Sequence, residues 1–457
     1  MIGPARIAAY DILRAVSEGR ADLPAAIAHA RSKLKDDRDR ALASEIATGV
    51  QRWRAALDHV ITHASKRPLE KLDDEVLEIL RLSAYQLLYL SRVPAAAIVD
   101  DAVNLAGRVG KRSASGLVNA VLRSISRARA SLPLPPRPAN ATDRAAALDY
   151  LAVTLSHPRW LVERWLDRFG FDATETWLRF NNAPAPLTLR ANRLRVTREA
   201  LAEQLAHHEI VTTPTTFAPD GLVIDSSEQG QLPDRVEPLL TIQDEASQLV
   251  ALIAGRDPGR RVLDTCASPG GKTLAMAGAM AAATKGGGLL VACDVRGRRM
   301  ELLRRTVEVN GAANVRLVQA DLLQPLPFSH PFDCVLVDAP CSGLGILRRD
   351  PDIRWRRSEH ELPSLAAAQL VMLQHAAAAV AAGGRLIYST CSSEPEENES
   401  VAQAFLATSP AFAPIDLRTD AATALPAGVV DDFGHLRTCP HVHGLEAFFG
   451  AAFLLRS

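Results

Sequence analysis

From about residue 238 onward, short apolar runs alternate with helical segments, and this rhythm limits the fold more than any other feature of the chain. The spacing predicts helix 244–254, strand 261–265, helix 272–280, strand 289–293, helix 297–309 and strand 315–319. Strand 334–337, helix 365–381, strand 386–389 and helix 396–407 follow, and residues 445–455 read as a closing antiparallel strand. Runs this short and this uniformly apolar belong to strands buried on both faces, as in a parallel sheet layered with helices. An open α/β sheet places its ligands at the carboxyl ends of its strands.

The chain before that point is different. Its first 130 residues read as helices throughout: Val118, Val121, Leu122 and Ile125 fall at i, i+3, i+4 and i+7, and Ile7, Tyr10 and Leu13 repeat the pattern. Ser131-Leu132-Pro133-Leu134-Pro135-Pro136-Arg137-Pro138 reads as a stiff, extended spacer opening a linker over 131–155. A small α+β module is expected over 156–237. His157 to Trp165 opens a helix, Leu187 to Asn192 alternates like a strand, Thr197 is placed to cap helix 198–206, and Leu222-Val223-Ile224 follows a turn at Asp220-Gly221.

Length and composition agree with several domains rather than one. At 457 residues the chain exceeds one ordinary core, and 47% hydrophobic with 23% charged residues is a globular mixture. No uninterrupted apolar stretch approaches the ~20 residues that cross a bilayer. The start, Met1-Ile2-Gly3-Pro4-Ala5-Arg6, lacks the layout of a secretion signal, so a cytoplasmic protein without membrane contact is expected. Net charge is zero, yet residues 1–130 hold 21 Lys and Arg against 15 Asp and Glu. That local excess suits a phosphate backbone, or is spread over a solvated surface. The six cysteines form no Cys-x-x-Cys pair, so neither zinc nor a disulfide framework is expected. Cys293 and Cys334, inside apolar strands, read as small buried hydrophobes.

The chemistry lies at the strand ends. After the first strand comes Cys266-Ala267-Ser268-Pro269-Gly270-Gly271-Lys272-Thr273. A nucleoside-triphosphate loop needs a glycine where Cys266 stands, and the Gly-x-Gly-x-x-Gly fingerprint of dinucleotide sites is absent. What remains is the single-nucleoside loop of an S-adenosyl-L-methionine site, or a structural tight turn. Asp294 ends the second strand, where an acid suits ribose hydroxyls, and Asp321 ends the third, suited to the adenine amine; either could instead cap the next helix. Asp338-Ala339-Pro340-Cys341 ends the fourth strand, and Thr390-Cys391 follows the fifth. Two thiols on one rim point to C5 of a pyrimidine, a carbon that becomes nucleophilic only after a thiolate adds to C6.

At these residues the chain resembles the RsmB/Sun family of RNA (cytosine-5) methyltransferases. The resemblance rests on Gln243 to Gln248, Pro269 to Lys272, Asp338 to Gly343, Arg349 to Trp355, Tyr388 to Ser392, and His443-Gly444 with Phe448-Phe449. Arg38 to Ala43, Ala84 to Tyr89 and Val118 to Arg123 resemble the NusB fold fused to the family's 16S rRNA member. It implies three folded parts: an all-α NusB-like domain (1–130), the α+β module, and a Rossmann-like class I methyltransferase domain (238–457). It also implies Cys391 as nucleophile, Cys341 as the residue assisting release, and Asp338 on the base edge. Cys266, Ala267, Ser268, Pro269, Gly270, Gly271, Lys272, Asp294, Asp321 and Asp338 are then the cofactor-binding residues. The implied substrate is a cytosine in a single-stranded or loop region of 16S rRNA, handled by a monomer without a metal. The same chemistry on tRNA or 23S rRNA, or an RNA-binding assembly factor without turnover, are the alternatives. Ser268 replaces the alanine usual in the family, and the NusB-like part is only mildly basic, so its partner is RNA or protein.

Overall fold

The computed structural model describes residues 2–91, 93–224, 232–255, 258–285, 287–423 and 425–456. Residues 225–231 of the expected middle module, together with Met1 and Ser457 at the outer limits of the first and last domains, lie outside them. Contacts divide the chain into two compact units, Met1–Ala183 with Leu347–Glu359, and Pro184–Ile346 with His360–Ser457.

The first unit is helical, as its periodicity predicts. Helices Pro4–Ser17, Leu23–Lys33, Asp37–Arg52, Arg54–Ser65, Asp74–Tyr89, Ala95–Arg108 and Ser115–Arg127 succeed one another. The Asp22 and Asp36 side chains accept from first-turn amides of the second and third, satisfying donors that a helix start leaves open. Val118, Val121, Leu122 and Ile125 are all buried. Gly49 is required where it stands, because a Cβ there would lie 1.9 Å from the Tyr85 ring. The linker expected over 131–155 is partly folded: Asp143 caps a short helix, Arg144–Asp149, which continues as a π-turn, Tyr150–Thr154. Two helical runs over Arg159–Asn182 follow, kinked at Gly170 (φ 76°), and the buried Trp165 and Trp177 rings on either side of the kink stack 4.6 Å apart.

The second unit holds both sheets. Strands β1 (Thr188–Ala191), β2 (Thr212–Pro214), β3 (Gly221–Ile224) and β4 (Leu240–Ile242) form an antiparallel sheet in the order β2-β3-β1-β4. Thr197 caps helix Arg198–Ala206 as expected, and Leu201 and Leu205 pack with Leu189, Leu222 and Ile224. Strands β2 and β4 are both additions to the two strands the sequence predicts.

The larger sheet is built from β5 (Arg261–Asp264), β6 (Leu289–Asp294), β7 (Val315–Gln319), β8 (Phe332–Asp338), β9 (Val380–Thr390), β10 (Phe412–Ile415), β11 (Leu436–Arg437) and β12 (Phe449–Leu455). Its order is β10-β12-β9-β8-β5-β6-β7, with β11 beside β12. Strands β5 to β9 are parallel, and β12 runs antiparallel to β9, as the terminal segment predicts. The order reverses between β5 and β8, and such a switch opens a crevice at the carboxyl ends. Several boundaries need correction: the helix expected over 272–280 is Gly271–Thr284, the closing strand expected over 445–455 begins at Phe449, and β10 and β11 are additions to the expected elements. The helix expected over 365–381 is Leu362–Ala377, and β9 already begins at Val380, drawn into the sheet by Phe332 across a bulge. The helix expected over 396–407 begins at Glu399, because Pro395–Glu397 forms a separate 3₁₀ turn. Among the described residues no helix is long and apolar enough to cross a membrane.

Candidate active site

The loop after β5 is shaped by one glycine and stitched to its neighbours. Gly270 has φ 109°, a conformation that side chains resist, and a Cβ there would come within 3.0 Å of Leu303 and Thr306. Helix Gly271–Thr284 starts immediately after it, leaving first-turn amides at the crevice. The Ala267 amide donates to the Cys293 carbonyl at 2.8 Å, and the Ser268 amide to Asp294 Oδ2 at 3.3 Å. Asp294, nearly fully buried, also accepts from the Arg296 amide through Oδ1. Asp321 is exposed, and its Oδ1 accepts from the Leu323 amide at 2.9 Å in a turn of its own loop; residues 321–331 hold no helix for it to cap. The Cys266 thiol is pushed well up by burial, with the charges of Asp264 and Asp338 adding to it.

Asp264, the last residue of β5, was missed as a site residue. It is buried, receives the Thr273 hydroxyl at 2.7 Å, and burial pushes its carboxyl up to about 7. An acid closing the first strand ahead of a glycine loop was the available signal.

The rim of β8 and β9 carries the reactive groups. Asp338 and Ser389 are register partners in these adjacent strands, and Ser389 Oγ donates to Asp338 Oδ1 at 2.8 Å. Lys272 Nζ meets Asp338 Oδ2 at 2.6 Å, with both side chains mostly buried. Burial alone would lower the Lys272 pKa, but the Asp338 charge and hydrogen bond outweigh it and hold the ammonium charged. One residue beyond β9 and three beyond β8, Cys391 Sγ and Cys341 Sγ stand 3.2 Å apart. Strand register therefore brings together two thiols that are 50 residues apart in sequence.

Cys391 is held from its backbone as well. Its carbonyl accepts from the Gly345 amide at 2.9 Å, and the Gly345 carbonyl accepts from the Ala447 amide. Any side chain at Gly345 would collide with backbone, 2.0 Å from the Ala447 oxygen and 2.7 Å from that of Cys391. The Cys391 thiol is shifted well above the usual cysteine range, first by its hydrogen bond with Cys341, then by burial and the charge of Asp338; Lys272 opposes the shift. Its proton is thus retained at neutral pH, and the site chemistry has to remove it at the moment of attack.

The structure therefore gathers Lys272, Asp338, Cys341 and Cys391 into one cluster beside the Cys266–Gly271 loop, with Asp294 at the adjoining strand end. Asp321, at the next strand end, has its Oδ1 engaged by its own loop. Glu397, beneath the two cysteine loops, was read from sequence only as part of a helix start.

Comparison with known proteins matches each part of the chain. The family model described as 16S rRNA methyltransferase RsmB/F matches residues 251–454. The NusB family matches residues 3–127, and the ferredoxin-like domain of RsmF/B-like methyltransferases matches residues 157–229. A ribosomal RNA small subunit methyltransferase B from Pseudomonas putida is 34% identical over 93% of this chain and 93% of its own length. The protein of that name from Xanthomonas campestris is 32% identical over 94% of this chain and 91% of its own. Among solved structures, the crystal structure of PH0851 is 25% identical with a TM-score of 0.78, covering 99% of both chains.

Proposed function

The chain belongs to the RsmB/F family of S-adenosylmethionine-dependent rRNA cytosine-5 methyltransferases, and from that premise we propose that it methylates C5 of one cytosine in 16S rRNA through a transient bond from Cys391 to C6. The observation that carries this reading is the pair of sulfurs 3.2 Å apart beside the Lys272–Asp338 ion pair.

The cofactor loop suits its ligand. Asp294 uses one lone pair of each oxygen on Ser268 and Arg296 and keeps others for ribose hydroxyls, while Gly270 lets the backbone turn tightly into the helix. Residues Cys266 to Lys272, with Asp294 and Asp321, would hold the cofactor, which supplies an electrophilic methyl group. The relatives' names favour small-subunit rRNA over tRNA or 23S rRNA.

As the Cys391 sulfur bonds to C6, its proton passes to the ring nitrogen N3, where the displaced π electrons collect, and C5 becomes the nucleophilic carbon of an enamine; the proton returns to sulfur on release. Asp338, fixed by Lys272 and Ser389, accepts from the N4 amine and steadies the ring as its charge redistributes. After C5 has taken the methyl group, its proton departs with assistance from Cys341. The C5–H electrons then re-form the ring double bond, and the C6–S bond breaks to return the Cys391 thiol. C6 is out of reach inside a duplex, so the base must be unstacked, in a loop or single strand. In this reading residues 1–130 and 156–237 bind RNA, 238–457 catalyse, and a monomer acts in the cytoplasm.

Incubation of unmodified 16S rRNA with labelled cofactor tests the proposal. Cys391→Ala should transfer no label, and Cys341→Ala should leave protein covalently attached to RNA. Exchange of those two outcomes would refute the assignment of nucleophile and release residue. Wild-type protein that binds 16S rRNA without labelling it would instead mark an assembly factor.

A further inference from the structure

Beneath the two thiols lies a buried carboxylate that the reaction above does not use. Glu397 is 0% exposed. Its Oε1 accepts from the Ser342 amide at 2.8 Å and from Gln369 Nε2 at 2.9 Å, and its Oε2 accepts from Ser392 Oγ at 2.6 Å. Ser342 directly follows Cys341 and Ser392 directly follows Cys391, so one carboxylate grips both cysteine loops one residue away from each sulfur. The two serine hydroxyls also meet at 3.1 Å.

The grip is braced on every side. Gln369 Nε2 also donates to the Pro340 carbonyl, on the other side of Cys341. The neighbouring Asn398 receives the Thr390 hydroxyl at 2.5 Å and donates to the Ser392 carbonyl at 3.0 Å, enclosing Cys391 from both flanks. Tyr388 Oη lies 3.0 Å from Gln369 Oε1 and 2.5 Å from the Glu397 carbonyl, tying the cluster to β9.

Burying a carboxylate is costly, and three neutral donors compensate it through charge-assisted hydrogen bonds that are short and directional. A charged acceptor is therefore placed where stiffness between two loops is needed. Both oxygens point into the cysteine loops and Glu397 is 0% exposed, so its place is structural support beneath the sulfurs. We propose that Glu397 is the positioning residue that sets the separation of Cys391 and Cys341, so that attack by one sulfur stays coupled to release by the other. This rests on the proposed roles of the two cysteines, but the geometry it asserts is measurable without them.

The experiment uses full-length protein as wild type, Glu397→Gln, Glu397→Ala and Ser392→Ala, with two readouts. In the first, without RNA, diamide takes two electrons and two protons from the thiol pair, becoming the hydrazine as the Cys341–Cys391 disulfide forms. The rate is followed by peptide mass, and protection of buried Cys334 from alkylation reports that the fold is intact. The second, with 16S rRNA and cofactor, measures the ratio of covalent adduct to methylated product. Removing the hydrogen-bond partners that orient metal ligands costs roughly 10- to 100-fold, and by the same positioning logic Glu397→Ala should slow disulfide formation by about that factor. It should also raise the adduct ratio, because release suffers more than attack.

Glu397→Gln keeps an acceptor for Ser342 and Gln369, and its amide can donate to Ser392, so it should restore most of both readouts. Ser392→Ala keeps the carboxylate, should fold if Glu397→Ala does not, and should show a smaller change in the same direction. Wild-type disulfide rates in both Glu397→Ala and Ser392→Ala would overturn the proposal, as would slowing with no rescue by Gln. If the rates respond as expected while no variant ever forms an RNA adduct, the positioning role stands and the covalent reading of Cys391 falls.

Discussion

Two buried charges, one in each unit, have no oppositely charged partner among the described residues, and they do different work. Glu397 has both oxygens engaged by Ser342, Gln369 and Ser392. Arg354, 0% exposed in the first unit, donates from Nη1 to the Ser156 carbonyl and Asn182 Oδ1, each at 3.0 Å, and from Nη2 to the Leu347 carbonyl at 3.2 Å. Its Nε is buried with no acceptor. Burial, with the Arg52 charge adding, presses the guanidinium pKa well down.

Around Arg354, Asp352 accepts from the Leu23 amide at 3.1 Å and from Arg356 Nε at 2.8 Å, and Trp355 Nε1 donates to the Gln51 carbonyl at 2.6 Å. The segment Leu347–Glu359 comes from between the two cysteines in sequence, yet these bonds build it into the helical unit. Neutral dipoles can thus bury a charge of either sign. What differs is what the dipoles are attached to: reactive loops around Glu397, helix ends and a connecting segment around Arg354.

If that contrast holds, damage at Arg354 should register as stability and damage at Glu397 as chemistry. Arg354→Ala removes a large buried side chain and strands its acceptors, so urea unfolding of the first unit should show a loss of about 3–5 kcal/mol. The diamide rate of the thiol pair should not change; if it falls in parallel, the contrast is broken.

Asp264 sharpens the comparison from within the site, being a buried acid whose carboxyl is pushed up to about 7 by burial. Its folded pKa lies above its unfolded value, so its contribution to stability is complete below about pH 4. That contribution is lost as pH rises through about 7. Asp264→Asn mimics the neutral form at all pH. The variant's stability relative to wild type should grow from near zero at pH 4 to about 4 kcal/mol at pH 8, at about 1.4 kcal/mol per pKa unit. A flat difference between these pH values in denaturant titrations would show that burial does not hold the acid neutral.

The smallest effect belongs to a site outside both networks. Thr197 Oγ1 accepts from the Ala200 amide at 3.3 Å, and Thr197→Ala should cost about 1 kcal/mol by the same unfolding assay with thiol chemistry untouched.

Much of this architecture is legible in the chain because it depends on local period and turn chemistry. Val118 to Ile125 declare a helix face, Thr197 declares a cap, and the apolar runs 261–265, 289–293, 315–319, 334–337 and 386–389 declare strands, though of β7 only Val315 is buried. Helix 362–377 was carried too far because Ala376 to Ala382 contain no breaker, and only pairing with Phe332 makes Val380 a strand residue. At the site, Cys341, Cys391, Asp338 and the Gly270-Gly271 turn stand out as residue types. Glu397 and Gln369 do not, since an acid before a helix and a glutamine within one are ordinary surface residues until their burial is known.

Local signals mark which residues could be reactive and most of the helices and strands, because propensity, periodicity and glycine geometry act over a few neighbouring residues. The meeting of Cys341 and Cys391, the place of Glu397 beneath both, and the joining of 347–359 to the helical unit come from long-range packing. Those outcomes depend on strand register and on the requirement that every buried charge find its hydrogen bonds from distant parts of the chain.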